Sequence, residues 1–289
     1  MANDHPSRIV CLSAEAVEIL YGIGCGERIV GVTGYATHPP QAGTLPRVSG
    51  FSEINHEKVD ALRPDLVITF SDVQAKCASE LIRRGHTILA TNQRSLEDVF
   101  QTILLIGRVV GREPEAQKLA DEMRAGIFGK STSEPPAERP AVYFEEWDDP
   151  MISGIGWVGE LIEAAGGRDI FADRRENPRA NDRAVTSGEI IHRQPEIIIA
   201  SWCGKKARLD AIRRREGWGS IPAVRNSHLY EIASTDILQP GPGLLRGLDR
   251  LRKIISLVSS SAAVTNHLTH MRVKGQKTSA VTGQRIKNV

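Results

Sequence analysis

No stretch of this sequence approaches the roughly 18 consecutive apolar residues that a membrane helix requires, so no membrane insertion is expected. Cysteine is scarce and scattered. Cys11, Cys25, Cys77 and Cys203 form no CxxC pair and no finger-like spacing, which argues against a zinc site and for buried free thiols. The enzyme signatures G-x-S-x-G, G-x-x-x-x-G-K-S/T and H-E-x-x-H are missing. Of eight histidines only His267 and His270 stand at a ligand-like spacing, near the end of the chain. No catalytic constellation, resident cofactor or metal site is therefore expected.

A strong charge of either sign is also lacking. The formal net charge is +2, and the last 29 residues hold five of the basic groups and no acid, so subtracting those five leaves the body at −3. A nucleic-acid binder concentrates positive charge on its folded part, and this chain does not. The opening MANDHPSRIVCLS enters a strand-like run by about Arg8, which leaves no room for a secretion signal. As written the chain is expected to be cytoplasmic, or periplasmic if residues precede it.

What the sequence does have is alternation. RIVCL (8–12), RIVGV (28–32), LVITF (66–70) and TILAT (87–91) are strand-like and alternate with helical patterns, the mark of a parallel sheet covered by helices. Ser13 is placed to cap a first helix carrying Val17, Leu20 and Tyr21. Ser95 to Asp98 reads as a capping box for a helix closed by Gly111, and EPEAQKLADEMRAGI (113–127) as a further helix with Pro114 in its first turn. The proline-rich GKSTSEPPAERP (129–140) marks a seam, after which AVYFEEW (141–147), GWVGELIEAAGG (156–167), HLYEI (228–232) and a helix from about Pro242 to Leu257 resume the alternation.

One phrase occurs twice. EKVDALRPDLVITF (57–70) returns as EIIHRQPEIIIAS (189–201): a short helix, a proline followed by an acid, and a bare aliphatic run suited to a strand buried on both faces. Its return points to two similar α/β lobes. The division expected is an N-terminal lobe over 1–112, a linking helix and linker over 113–140, a C-terminal lobe over 141–258 and a basic, mostly disordered tail over 259–289.

These phrases, with VGVTGYATHPP (30–40), RVSGFSEINHEKVDALRPDLVITF (47–70) and ISGIGWVGELIEAAGGRDIF (152–171), resemble the class III substrate-binding proteins of ABC importers, most of all the vitamin B12-binding members. The resemblance spans about residues 8–258. It implies two Rossmann-like lobes joined by a single long helix, with a ligand cleft between them. It also implies a monomer that binds a cobalamin-like molecule or another metal chelate, such as haem or a siderophore, and delivers it to the importer's permease. A cytosolic corrinoid- or tetrapyrrole-handling protein, or a chelatase-like enzyme of the same fold, is the alternative.

The resemblance carries ligand contact to Tyr35, Phe51, Phe70, Met151 and Asp236, and permease docking to Glu57 and, one helical position less securely, Glu189. A tryptophan of the B12-binding pattern falls at about Arg183, which implies a more cationic cleft, with Trp147 and Trp202 placed to compensate. The acids of EEWDD cannot all converge on one metal, because alternate strand residues face opposite ways. One or two are expected in the cleft, facing Arg183 or Lys205.

Overall fold

The computed structural model describes residues 5–50, 52–129 and 139–260. Five strands come first: β1 (Ile9–Cys11), β2 (Ile29–Thr33), β3 (Arg47–Ser49), β4 (Leu66–Phe70) and β5 (Ile88–Thr91). All pair in parallel, in the order β3-β2-β1-β4-β5. The order reverses beside β1, so a crevice opens at the carboxyl ends of β1 and β4, where open α/β sheets hold ligands. The helices α1 (Ala14–Gly22), α2 (His56–Leu62) and α3 (Ala75–Arg83) run between these strands.

Two longer helices follow, α4 (Leu96–Val110) and α5 (Glu113–Phe128). Ser95 and Asp98 form the expected capping box at the start of α4, and Gly111 ends it with φ at 68°. Gly107 lets the two helices touch, since a Cβ there would lie 2.3 Å from that of Ala116. In chain order α5 stands between the two sheets.

The second sheet has β6 (Ala141–Asp148), β7 (Met151–Ser153), β8 (Arg168–Asp169), β9 (Ile197–Ala200) and β10 (Leu229–Glu231). Its order is β10-β9-β6-β7, with β8 against the start of β6 and only the β6–β7 pair antiparallel. Around it lie α6 (Gly156–Ala164), α7 (Ser187–Arg193), α8 (Leu209–Arg213), α9 (Pro222–Arg225), α10 (Ser234–Ile237) and α11 (244–260). At two or three residues, β3, β7 and β8 are too short to show a pattern in sequence. Ser13 takes the N-cap position of α1, yet its hydroxyl makes no capping bond. The middle of the proline-rich seam, residues 130–138, and the tail from 261 lie outside the described residues.

The repeated phrase performs one task twice. Arg63 and Gln194 end α2 and α7 in the left-handed conformation, at φ of 45° and 46°, each just before its proline. The acid after the proline then reaches the strand that opens its own sheet. Asp65 accepts from the N–H groups of Ser7 and Arg8 ahead of β1, at 2.8 and 3.0 Å, and Glu196 accepts from that of Ala141 in β6, at 2.9 Å. The main chain completes each tie through Asp65 N–H to Arg8 and Glu196 N–H to Ala141, at 2.9 and 2.8 Å.

A single apolar core runs through both lobes. It joins Ile9, Val17 and Leu20 to Phe100 and Ile103 of α4, Met123 and Ile127 of α5, Trp157 and Leu161 of α6, and Leu244, Leu248 and Leu251 of α11. Separate clusters cover the outer faces: Val10, Val59, Val67 and Leu81 on the first sheet, and Tyr143, Phe171, Ile198 and Trp218 on the second.

Because Asp65 and Glu196 are exposed, their backbone ties are screened. Replacing either with alanine is expected to lower the unfolding free energy by about 0.5–1.5 kcal/mol, read from urea denaturation. Wild-type stability in both variants would show that the repeated acid has no structural task.

Candidate functional site

Three adjoining compartments lie at the carboxyl ends of the strands. The innermost, about 60 Å³, is reached by Ser13 and Glu15 from α1, Tyr35 and Phe70 from the first lobe, and Cys203 and Gln239 from the second. Beside it, sharing Phe70, lies a space of about 130 Å³ lined by Arg94, Glu146, Trp157 and Arg183. The outermost, about 340 Å³, lies between Tyr35, Trp202, Lys205 and Glu231. Tyr35 stands between the first and the last and closes against the second lobe. Gln239 Nε2 donates to its carbonyl at 3.4 Å, and a Cβ on Gly204 would lie 3.3 Å from its hydroxyl.

Strand alternation sorts the EEWDD acids. Glu145 points to the outer side of β6, fully buried, and accepts hydrogen bonds from Tyr143 Oη and Trp202 Nε1, each at 3.1 Å, and from both terminal nitrogens of Arg215. Glu146 faces the cleft. Its carboxylate takes Arg183 Nη2 at 2.8 and 3.0 Å and the N–H of Ile155 at 3.1 Å. Burial holds the Glu146 carboxyl above the usual range, and Arg183 offsets this only in part. Asp148 pairs with Lys205 at 2.6 Å, and the Lys205 ammonium sits over both tryptophans, 3.9 Å from the Trp147 ring centre and 4.9 Å from that of Trp202.

Tyr35 and Phe70 both line the cleft, and Trp202, 2% exposed, reaches its outer compartment. Trp147 and Met151 each pack against the second lobe's outer cluster and line none of the three compartments, with the Lys205 ammonium linking Trp147 to the cleft. Phe51 lies outside the described residues. Two of the expected contact residues are engaged in ion pairs. Arg183 brings no free positive charge: it is 1% exposed and spent on Glu146 and on the carbonyls of Ser153 and Asn177. Asp236, 5% exposed, holds Arg246 and Arg250 at 3.0 Å each and lines none of the three compartments.

The glutamates of the repeated phrase also differ. Glu57 is exposed in the first turn of α2, whose cap is Asn55. Glu189 is engaged, closing a capping box with Thr186 and pairing with Arg174. Sequence reading passed over Glu15, Gln74 and Arg94. An acid in a first helical turn reads as a partner of the helix dipole, and the signal that marks Ser13 and Glu15 is their place just after β1, beside the reversal in strand order.

Two α/β lobes with a polar and aromatic cleft at a shared seam define a ligand-binding protein of the two-lobed class. Residues 9–235 match the periplasmic binding protein family, and the chain belongs to it. It is 28% identical over 251 residues to the vitamin B12-binding protein of Vibrio parahaemolyticus serotype O3:K6, a match covering 86% of this chain and 89% of that one. It is 29% identical over 260 residues to an uncharacterised ABC transporter substrate-binding lipoprotein, YvrC, of Bacillus subtilis, covering 86% and 80%. The crystal structure of the periplasmic vitamin B12-binding protein BtuF of Vibrio cholerae has the same fold, with a TM-score of 0.69 at 25% identity and coverage of 88% and 98%.

Arg183→Met strands a buried carboxylate and is expected to cost about 3 kcal/mol in chemical denaturation, whereas adding Glu146→Leu restores most of the loss. A double variant as unstable as the single one would show that the pair has no mutual role.

Proposed function

We propose that this chain is a substrate-binding protein that holds a cobalamin-like molecule or another flat metal chelate in the cleft, one per monomer, and hands it to the permease of an ABC importer. The observation that carries this reading is the cleft at the strand-order reversal, with aromatic faces from both lobes and relatives named for vitamin B12 binding. The apolar surface for a broad disc is assigned to Tyr35 and Phe70 in the cleft and to Trp202 at its outer compartment, with Trp147, Met151 and Phe51 kept as candidates from the sequence alone. Glu146, held by Arg183, presents a polar edge to its arms. The binding lobes are residues 1–112 and 141–258, with 113–140 between them.

Docking is assigned to Glu57 and Glu189, one on each lobe. Import requires the chain to work on the outer side of the cytoplasmic membrane, in line with the lipoprotein and periplasmic labels of its relatives and against the cytoplasmic expectation drawn from the opening residues. Among the described residues no helix is long and apolar enough to cross a membrane.

Absorbance titration with cyanocobalamin, haem and ferric siderophores tests the ligand. Saturation at one equivalent is expected for at least one of them, and no binding tighter than about 100 μM would overturn the reading. Glu57→Lys should abolish uptake in cells while leaving ligand affinity and stability unchanged. Glu189→Lys should also cost about 1 kcal/mol of stability, because that side chain caps α7. Normal uptake by both variants would remove the docking assignment.

A further inference from the structure

The innermost compartment contains a carboxyl group for which neither the lobe packing nor the aromatic surface accounts. Glu15 and Ser13 line it from the start of α1 and are 4% and 6% exposed. Neither Glu15 Oε1 nor Ser13 Oγ has a hydrogen-bond partner among the described residues. The loop of the second lobe lies directly on Glu15, for a Cβ on Gly241 would come within 2.8 Å of the glutamate's own. An unpaired polar group sealed between two lobes is costly to keep unless something else satisfies it.

The groups around Glu15 leave it without a counter-charge. Glu18, on the same helix, is paired at 2.7 Å with Arg246 of α11, and that guanidinium is further committed to Asp236. Cys11 on β1 is held un-ionised by burial, and burial pushes the Cys203 thiol, across the compartment, up to about 11. Tyr35 contributes a phenol. Burial, with a smaller addition from Glu18, raises the Glu15 carboxyl to about 7, against the opposing effects of its own backbone N–H and of the neighbouring Ser13 hydroxyl. At neutral pH the group is therefore partly protonated.

We propose that Ser13 and Glu15 form a subsite for a primary carboxamide arm of the ligand and select such an arm over a carboxylate. An un-ionised carboxyl presents one O–H donor beside one carbonyl acceptor, and a primary amide presents the reverse pair, so two antiparallel hydrogen bonds close between them. A ligand carboxylate offers two acceptors, one of which meets the Glu15 carbonyl, and above neutrality it meets a like charge. A compartment of about 60 Å³ suits an arm, whereas whole ligands occupy pockets of about 300–1,000 Å³. The inference rests on the reading that the ligand's disc lies above this compartment in the cleft.

Absorbance titration of the full chain with cyanocobalamin, which carries primary amides, and with haem, which carries carboxylates, tests it at about pH 6 and about pH 8.5. The unaltered chain should bind cyanocobalamin at least about tenfold more tightly at the lower pH, because the amide engages the protonated form. Glu15→Gln preserves a donor beside an acceptor without a titrating proton, so its affinity should be the same at both. Glu15→Ala should weaken cyanocobalamin binding about tenfold at the lower pH and leave haem binding undiminished. Equal affinity of the unaltered chain at both pH values, or a pH dependence retained by Glu15→Gln, would overturn the subsite while leaving the function standing. Failure of the unaltered chain to bind cyanocobalamin at either pH would overturn the subsite, and failure to bind haem and ferric siderophores as well would overturn the function with it.

Discussion

The apolar seam between the lobes is the constraint on which the rest of the structure depends. Each lobe finishes the other's helix ends. Glu160 of α6 accepts the Leu96 N–H at the start of α4 at 2.7 Å, and Arg252 of α11 donates to the Gly126 and Ile127 carbonyls at the end of α5. Trp157, 2% exposed, donates its backbone N–H to the Arg94 carbonyl and its indole N–H to that of Ile237. Arg246 ties Glu18 to Asp236. Helix termini leave orphan groups that must find partners, and here those partners lie across the seam. Sliding one lobe over the other would break caps, ion pairs and core contacts together.

A fixed seam places the adaptable parts at the mouth of the cleft. Tyr35 is 38% exposed, Gln239 donates to its main-chain carbonyl at 3.4 Å, and Lys205 lies over two rings at the rim. The compartments are small beside a corrinoid or a haem, so on the proposed function these side chains must swing aside to admit a disc. Beneath them, β6 holds the second lobe's aromatics in place through charges on its two faces: Glu145 fixes the Trp202 indole against Arg215, and Glu146 neutralises Arg183.

Much of this was legible in the sequence because it depends on local rules. The capping box at Ser95, the glycine end at Gly111, the aliphatic strands and the doubled phrase follow from periodicity and backbone preference, and all appear where those rules put them. What was not legible depends on partners remote in the chain. The neutralisation of Arg183 comes from a residue 37 positions away, and the occupation of Asp236 comes from the face that α11 turns toward α10. The two glutamates of the repeated phrase look equivalent in sequence, yet one is exposed and the other closes a capping box, because the helices that carry them begin one residue apart relative to each acid. Glu15 was hidden by its resemblance to an ordinary helix-start acid.

The distance between the lobes with and without ligand tests this account most directly. Spin labels at Ile82→Cys on the first lobe and Arg225→Cys on the second, in a Cys203→Ser background, occupy exposed positions far from the cleft. Pulsed dipolar spectroscopy should give distance distributions that agree to within about 2 Å before and after saturation with cyanocobalamin, with any change confined to the rim. A shift of about 5 Å or more, the scale of a hinge closure, would contradict the claim that the shared core fixes the two lobes.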